Sequence, residues 1–319
     1  MTKLSGFFDN VKEKYSKIGY KAKKHTLHIL GRIFTYVVLT LLAFLFILPF
    51  VYIISTSMMS STDYLDPTVQ YIPTHVQWKN FVDAWDALNY QHSAVQTLGL
   101  SVTAMILQTV SCALCGYALG RFKFKGRNLL FVLVILVLLI PPQSTILASY
   151  GMFSTLKMIN TWGPVVLPSL FGLGIRGALF ILIYMYFFQR IPDVMDDAAR
   201  IDGAGPVRVF FQIMLPLVRS AIIIVAIFSF VWHWNDNYEA PMYLYDRKLM
   251  TLQPRLENIK MYFSDYVSQS SAGATAIDKA MTEPMLFAGC LLVMLPVLVV
   301  YIFGQKHLAA GIERIGVIE

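Results

Sequence analysis

Six stretches of the chain are apolar over about the 20 residues that an α-helix needs to cross a bilayer core. The first contains no charged residue, and the fourth is interrupted by a single charge at Arg176. This pattern predicts an all-α integral membrane protein with six transmembrane helices. The predicted spans are 33–54, within 94–118, within 128–150, roughly 164–188, about 218–237 and about 285–304.

The composition supports this class of protein. Only 14% of the 319 residues are charged, whereas soluble domains carry about 25%. Hydrophobic residues make up 56% of the chain and the mean hydropathy is +0.58, so the excess apolar surface is expected to face lipid. The first apolar run begins after residue 32 and is too long for the core of a signal peptide, which favours an uncleaved first span.

Lysine and arginine predict the orientation of these spans. If the N-terminus is cytoplasmic, the inner segments hold 18 of the 26 basic residues and the outer segments hold seven. Because cytoplasmic loops collect Lys and Arg, both termini are predicted to lie in the cytoplasm. The protein is accordingly predicted to be a multi-pass protein of the cell membrane. The net charge of +7 is therefore interpreted as a topology signal, and no nucleic acid partner is predicted.

Residues 1–30 are predicted to form a basic amphipathic segment on the cytoplasmic side. Apolar residues recur there at helical spacing with lysines between them, which is typical of a helix lying on anionic lipid. A disordered cytoplasmic tail is the alternative. The six-helix transmembrane domain is predicted at 31–305, with a loop at 190–217, a long extracellular loop at 239–284, and a cytoplasmic tail at 306–319.

The loop between the fourth and fifth spans has the signals of a short, capped helix. Pro192 suits a first helical position, and Asp193, Asp196 and Asp197 complement a helix N-terminus. Gly203 suits a C-terminal cap. The helix also carries two adjacent alanines and mixed charge, so it is suited to dock into a groove of another protein.

The same loop carries a motif with fixed spacing. Asp197-Ala198-Ala199 is followed by three residues, Gly203, nine residues and Ile213-Met214-Leu215-Pro216. This resembles the signature loop of permease subunits of binding-protein-dependent ABC importers, E-A-A-x3-G-x9-I-x-L-P. Asp197 stands where the family usually has Glu, which keeps the charge on a side chain one methylene shorter and alters the contact geometry.

Weaker motifs occur in the order found in carbohydrate-type permeases, in particular the maltose-type second permease. They cover most of the chain, but not the first 30 residues or much of 239–284. These motifs are Phe122–Arg127 before span three, Pro141-Pro142-Gln143, Asn160-Thr161-Trp162 with Leu167-Pro168, Trp234-Asn235-Asp236, and Gly304–Gly311.

The resemblance implies a type I ABC importer permease fold with a cytoplasmic coupling helix between helices 4 and 5. Such a subunit pairs with a homologous permease, two ATPase subunits bind beneath, and an extracellular solute-binding protein delivers a sugar or oligosaccharide. ATP and Mg²⁺ are used by the ATPase subunits. This chain is predicted to bind no cofactor and to catalyse no reaction, since it has no G-x-x-x-x-G-K-[ST] motif. The implied coupling residues are Asp196, Asp197, Ala198, Ala199, Arg200, Asp202, Gly203, Ala204 and Gly205.

Candidate substrate contacts come from charge and aromatic residues within the spans. An intramembrane arginine either lines a substrate pathway or forms a structural ion pair with an acidic residue. Both interpretations stay open for Arg176. Trp234 and Tyr238 lie four residues apart on one predicted helical face, and an interfacial aromatic belt is the alternative. The candidates are Arg176, Gln143, Tyr184, Trp232, Trp234, Asn235 and Tyr238.

The 239–284 loop is predicted to contact the binding protein, because it is long and contains Tyr243, Tyr245, Tyr262 and Tyr266. A solvated loop is the alternative. No metal site is predicted, since the lone C-x-x-C of Cys112 and Cys115 lacks further ligands and is interpreted as packing.

Three other functions compete with the sugar importer. An importer permease for a non-sugar solute would share the signature loop. A secondary transporter or channel would show inverted repeats and intramembrane acidic residues, and no such repeat is evident. A membrane scaffold would explain the spans without explaining the signature loop.

Overall fold

The computed structural model describes the backbone of residues 2–259 and 276–316. Side chains are described from residue 28 onward within these ranges, except for 200, 276–282, 307 and 309–316. The regular secondary structure of the described residues is entirely helical, with no strand among them, in agreement with the all-α prediction. Three of the described helices are long and apolar enough to cross a bilayer, or five if each sharply bent pair is one crossing.

Two long helices begin and end the described chain. Helix α1 is Thr2–Ser57 and the last helix, α15, is Ala276–Gly316; their apolar sections are His28–Ser57 and Glu283–Lys306. The backbone of 2–30 is continuous with the first span. The side chains of 2–27 lie outside the described residues, so the amphipathic surface stays a prediction. Helices α1 and α15 contact each other, and the ring of Tyr52 in α1 lies edge-on to that of Phe287 in α15.

Helix α4, Tyr90–Arg121, lies at the centre of the molecule. It follows two short helices, α2 (Ser61–Leu65) and α3 (Lys79–Ala87). Its 32 residues give it a length of roughly 48 Å, and it packs against α7 (Gly163–Leu170), α8 (Gly177–Gln189) and α12 (Arg219–Trp234). A Cβ at Gly116 would lie 2.5 Å from Cβ of Tyr184, so glycine permits the close approach of α4 and α8.

The third and fourth predicted spans are not single helices. Helices α5 (Arg127–Leu139) and α6 (Pro142–Thr155) meet at a 100° bend, because Pro141 and Pro142 cannot continue the hydrogen-bonding pattern of a helix. The stretch 164–188 is divided between α7 and α8 by a non-helical connection at 171–176. The 13 residues of α8 cover only about 20 Å, so the count of six crossings stays a prediction.

The predicted loop helix is α9, Val194–Ile201. It is followed by α10 (Pro206–Arg208), a π-helix at Val209–Met214 and α11 (Leu215–Leu217), which meets α12 at an 80° bend. Pro216 lacks the N–H that would bond to the carbonyl of Gln212, and the wider π turn lies directly before it.

The segment 239–284 is more structured than a single long loop. It contains α13 (Glu239–Tyr243) and α14 (Leu252–Glu257), and α15 begins at residue 276. Tyr262 and Tyr266 lie outside the described residues. The final helix therefore begins before its apolar section, Glu283–Lys306, and the extracellular loop 239–284 stays a prediction.

Candidate coupling and transport sites

The C-terminus of α9 has the cap that its sequence predicts. Gly203 has φ of +75°, a left-handed conformation that glycine adopts without strain. The N–H of Ala204 donates to the carbonyl of Ala199 at 3.0 Å, which is the six-to-one bond of a Schellman motif. At the other end, α9 begins two residues after Pro192, and the Asp193 carbonyl accepts from the N–H groups of Asp196 and Asp197.

One face of α9 packs against the body of the protein. Ala199 is 4% exposed and belongs to a hydrophobic cluster with Val209, Phe210 and Met214. The cluster continues into α4 and α8 and includes Phe188. A small residue at 199 therefore allows α9 to lie flat on this cluster.

The other face of α9 is exposed in the described chain. Val194 and Ile201 are 72% and 85% exposed. Such an exposed apolar face, beside charged residues, is typical of a protein-binding surface. The side chain of Arg200 lies outside the described residues, and Ala204 is half-buried. The predicted coupling residues with exposed positions are Asp197, Ala198, Asp202, Gly203 and Gly205.

Arg121, the last residue of α4, fastens the start of α9 to the helix bundle. Its side chain is 5% exposed. Nε donates to Oδ2 of Asp196 at 2.9 Å, Nη2 bonds the same carboxylate oxygen, and Nη1 donates to the carbonyl of Ile191 at 2.6 Å. Nη1 also lies 3.1 Å from Oδ1 of Asp193. This charged anchor was not predicted, because its partners lie about 70 residues further along the chain.

A cavity of about 710 Å³ lies between α5, the 171–176 connection and the C-terminal end of α12. Polar, aromatic and charged side chains share its wall with aliphatic ones, so the cavity can accept a hydroxyl-rich ligand. It contains five of the seven predicted pathway residues. They are Gln143, Arg176, Trp232, Asn235 and Tyr238.

The other two predicted pathway residues do not line this cavity. Tyr184 is fully buried and packs beside Phe188, facing α4. Trp234 is buried on the side of α12 that faces α15, where its Nε1 donates to the carbonyl of Val293 at 3.1 Å. Trp234 and Tyr238 were predicted to lie on one helical face. That prediction is wrong, because α12 ends at Trp234.

Arg176 immediately precedes α8 in a left-handed conformation, with φ of +58°. Its guanidinium carbon lies 5.9 Å from the ring centroid of Trp232, within range of a cation–π interaction. In the part of the chain that the structure describes, no carboxylate lies within ion-pair distance of Arg176. The described chain therefore does not supply the structural ion pair that was the alternative interpretation.

A buried polar network holds the connection that carries Arg176. Gln108 of α4 is fully buried, and its Nε2 donates to the carbonyl of Ile175 at 2.9 Å. Its Oε1 accepts from Oγ of Ser229 in α12 at 2.7 Å. Ser111, one turn further on, donates to the carbonyl of Ser169 in α7 at 2.8 Å. Gln108 thus bridges α4, the broken fourth segment and α12. A glutamine in an apolar helix is the sequence signal that could have identified it.

Two carboxyl groups at the end of α12 also line the cavity and were not predicted as site residues. Asp236 caps α13 by accepting from the N–H groups of Tyr238, Glu239 and Ala240 at 2.7–2.9 Å. Glu239 is half-buried beside it. Burial, followed by the nearby Asp236 charge, raises the pKa of Glu239 to about 7. Near neutral pH this carboxyl can therefore donate or accept a hydrogen bond in the cavity.

The tyrosines of 239–284 are not equally available to a partner. Tyr243 is 3% exposed, with its ring stacked on Tyr150 and edge-on to Phe153. It cannot contact an outside protein in this arrangement, so that part of the loop prediction differs from the structure. Tyr245 is exposed, and its N–H donates to the side-chain oxygen of Asn160.

A helical membrane protein with broken spans around a cavity, and with a capped helix presented on one side, is by fold and site a transport permease. The chain belongs to the family described as binding-protein-dependent transport system inner membrane component, whose sequence model matches residues 113–314. It is therefore a multi-pass membrane protein of this transport family.

Similar proteins cover nearly the whole chain. The permease protein NgcG of a diacetylchitobiose uptake system in Streptomyces coelicolor is 29% identical, over 88% of this chain and 87% of the relative. The melibiose/raffinose/stachyose import permease protein MelC of Bacillus subtilis is 27% identical, over 83% and 89%. A bacterial ABC transporter that imports the acidic polysaccharide alginate contains a chain of the same fold, with a TM-score of 0.73, 18% identity and coverage of 88% and 96%.

Proposed function

We propose that this chain is a permease subunit of an ATP-driven importer for a sugar or oligosaccharide. The substrate class is supported by relatives named as permeases for chitobiose-derived and raffinose-type sugars. The cavity that contains Arg176, Trp232 and Asn235 is consistent with this class, because sugars bind through aromatic faces and polar hydrogen-bonding groups.

The observation that carries the proposal is the two-sided character of α9. One face is fixed to the bundle through Ala199 and Arg121, and the other presents Val194 and Ile201. A helix fixed in this way moves with α4, α8 and α12 as one body. Docked on an ATPase subunit, it would transmit closure of the ATPase dimer to the cavity by rigid-body motion.

The remaining parts of the machine are proposed partners. A homologous permease would complete the pathway, a pair of ATPase subunits would hydrolyse ATP with Mg²⁺, and an extracellular binding protein would deliver the sugar. The α9 side is proposed to face the cytoplasm together with both termini. This agrees with the bias of Lys and Arg toward that side.

Reconstitution tests the proposal. The purified complex in proteoliposomes is expected to take up the sugar only when ATP is inside and the loaded binding protein outside. Uptake that needs no ATPase subunit would refute it in favour of a secondary transporter.

A cysteine crosslinker is best placed at Ala198, which is exposed, because Ala199 is buried. Capture of the ATPase subunit from position 198 is expected.

Arg176→Met tests the role of the cavity. The change removes the cation above Trp232 and is expected to lower ATP-dependent uptake several-fold while the complex still assembles. Lys157→Met, an exposed cation outside the cavity lining, is the matched control. Normal uptake by an assembled Arg176→Met complex would exclude Arg176 from the pathway.

A further inference from the structure

A second cleft, with a volume of about 390 Å³, opens at the end of α4 that lies opposite α9. Helix α4 ends beside α9 at Arg121 and begins at this cleft, roughly 48 Å away. This distance exceeds the bilayer core of about 30 Å, so the cleft lies on the outer face when α9 faces the cytoplasm. It is lined by Asn89, His92, Arg247, Lys248 and Arg255.

The positive charges of this cleft lack acidic partners in the described ranges. None of the described lining residues is acidic. The neighbouring Asp246 caps its own turn by accepting the N–H of Lys248 at 2.9 Å. One guanidinium nitrogen of Arg255 donates to the carbonyl of Arg247, which holds the two cations together. Because like charges repel, this arrangement favours binding of an anion.

The position of Arg255 strengthens this conclusion. Its Nε is buried and has no hydrogen-bond partner in the part of the chain that the structure describes. Burial and the Arg247 charge lower the pKa of Arg255, so both environmental effects act against its positive charge. A bound carboxylate would offset them. Arg247 and Lys248 are exposed and are therefore accessible to a large partner.

A hydrogen bond links the helix that carries Arg255 of the cleft to a residue that lines the transport cavity. Gln253, in the same short helix α14 as Arg255, donates from Nε2 to Oδ1 of Asn235 at 3.2 Å. Asn235 lines the cavity. The N–H of Leu252, also in α14, donates to Oγ1 of Thr97 in α4 at 2.9 Å. A protein held at the cleft would therefore lie beside the cavity into which substrate is delivered.

We infer that this cleft binds carboxylate side chains of the extracellular binding protein. The inference rests on the proposed function, and the family description itself specifies dependence on a binding protein. Arginine forms bidentate, charge-assisted hydrogen bonds with carboxylates. Opposite charges across an interface also accelerate association and make it sensitive to salt.

The test measures the affinity of the complete importer for its substrate-loaded binding protein, in nanodiscs of neutral phosphatidylcholine. The double variant Arg247→Gln with Lys248→Gln is expected to raise Kd about tenfold and to reduce its dependence on salt concentration. Lys79→Gln with Lys157→Gln is the matched control. It removes the same charge from the predicted outer face, away from the cleft lining, and is expected to leave Kd unchanged.

An unchanged Kd and salt dependence in the cleft variant would overturn the inference. So would a loss of affinity that appears only in nanodiscs with anionic phosphatidylglycerol, because the cleft would then hold a lipid headgroup. A measurement of ATP hydrolysis by the wild-type importer distinguishes failure of this inference from failure of the proposed function. If the loaded binding protein does not stimulate ATP hydrolysis even in wild type, the proposed function is wrong. Normal stimulation with equal affinities rejects only the cleft.

Discussion

At the scale of single residues, two side chains that the sequence pattern does not distinguish have the most defined roles. Arg121 resembles any basic residue at the end of a membrane helix, yet its guanidinium is buried between Asp196 and the carbonyl of Ile191. Glu239 follows an apolar helix and would be assigned to a solvated loop, yet it is half-buried in the cavity wall. Each supports a test with a matched control.

Arg121→Met is expected to uncouple ATP hydrolysis from transport. The change leaves the carboxylate of Asp196, which is 18% exposed, without its hydrogen-bonding cation, at a cost on the order of 2 kcal/mol. Helix α9 then loses its fixed position against α4. ATP-dependent uptake should fall about tenfold or more, whereas ATP hydrolysis by the assembled complex persists. Arg208→Met is the control, because Arg208 is exposed and bonds Gln212 one turn away; equal losses in both variants would contradict this role of Arg121.

Glu239→Gln is expected to remove one component of pH dependence. The pKa of Glu239 rises from 4.5 to about 7 in the folded protein, so the folded state binds the proton more tightly than the unfolded state. This contribution to stability is complete below about pH 4.5 and is lost as the pH rises toward 7 and above. The Tm of the wild-type complex should therefore decline between pH 5 and 8 relative to Glu239→Gln.

Glu257→Gln, at the exposed end of α14, provides the control for that measurement. It makes the same change of charge without burial in the cavity. A wild-type Tm that follows Glu239→Gln in parallel across the whole pH range would show that Glu239 titrates normally.

At the scale of elements, α9 is specified by local signals and positioned by distant ones. Its C-terminal glycine and its acidic first turn determine where the helix ends and how its dipole is compensated. Which face points outward is determined by Ala199, because the alanine is small enough to lie on Val209 and Phe210. The cap and the docking face can therefore be tested separately.

Gly203→Ala is expected to disturb α9, because alanine in the left-handed conformation at φ +75° costs about 1–2 kcal/mol. ATP-dependent uptake should fall about fivefold, the change that corresponds to 1 kcal/mol. Gly151→Ala in α6 is the matched control. A Cβ at either position meets open space, but Gly151 lies within a helix without a left-handed φ and should tolerate alanine. Equal activity of the two variants would argue against a requirement for the cap.

At the scale of the whole molecule, α4 connects the proposed ATPase-coupling helix α9 with the proposed docking cleft for the binding protein. One end contacts α9 through Arg121, its middle holds the Arg176 connection through Gln108, and its start lines the basic cleft. Motion of α9 would therefore reach both the cavity and the outer face through one helix. This requires the two ends of α4 to lie on opposite sides of the membrane.

Labelling of single cysteines tests that topology. A membrane-impermeant thiol reagent applied to intact cells is expected to label Asn89→Cys, and to label Ala198→Cys only after the membrane is opened. Both positions are exposed. The native cysteines are first replaced by alanine, with preserved uptake as the control. Labelling of position 198 from outside would reverse the orientation and remove the proposed site of ATPase coupling.

The sequence by itself determined the membrane class, the helical content and the capped helix. These depend on long apolar runs and on local backbone preferences, which are properties of adjacent residues. The sequence also indicated the cavity in part, since Arg176 and Asn235 were predicted. It misplaced Trp234, because the packing of that side chain against α15, where its Nε1 bonds the Val293 carbonyl, depends on a contact between distant helices.

Tertiary structure alone decided how distant segments meet. Gln108 bonds the Ile175 carbonyl 67 residues away, and Arg121 bonds Asp196 75 residues away. The cleft brings His92 together with Arg255. Hydropathy and capping act over one or two turns of chain, whereas these contacts depend on which helix faces pack. That packing is set by the shapes of buried surfaces such as the one at Gly116, and a linear pattern does not contain this information.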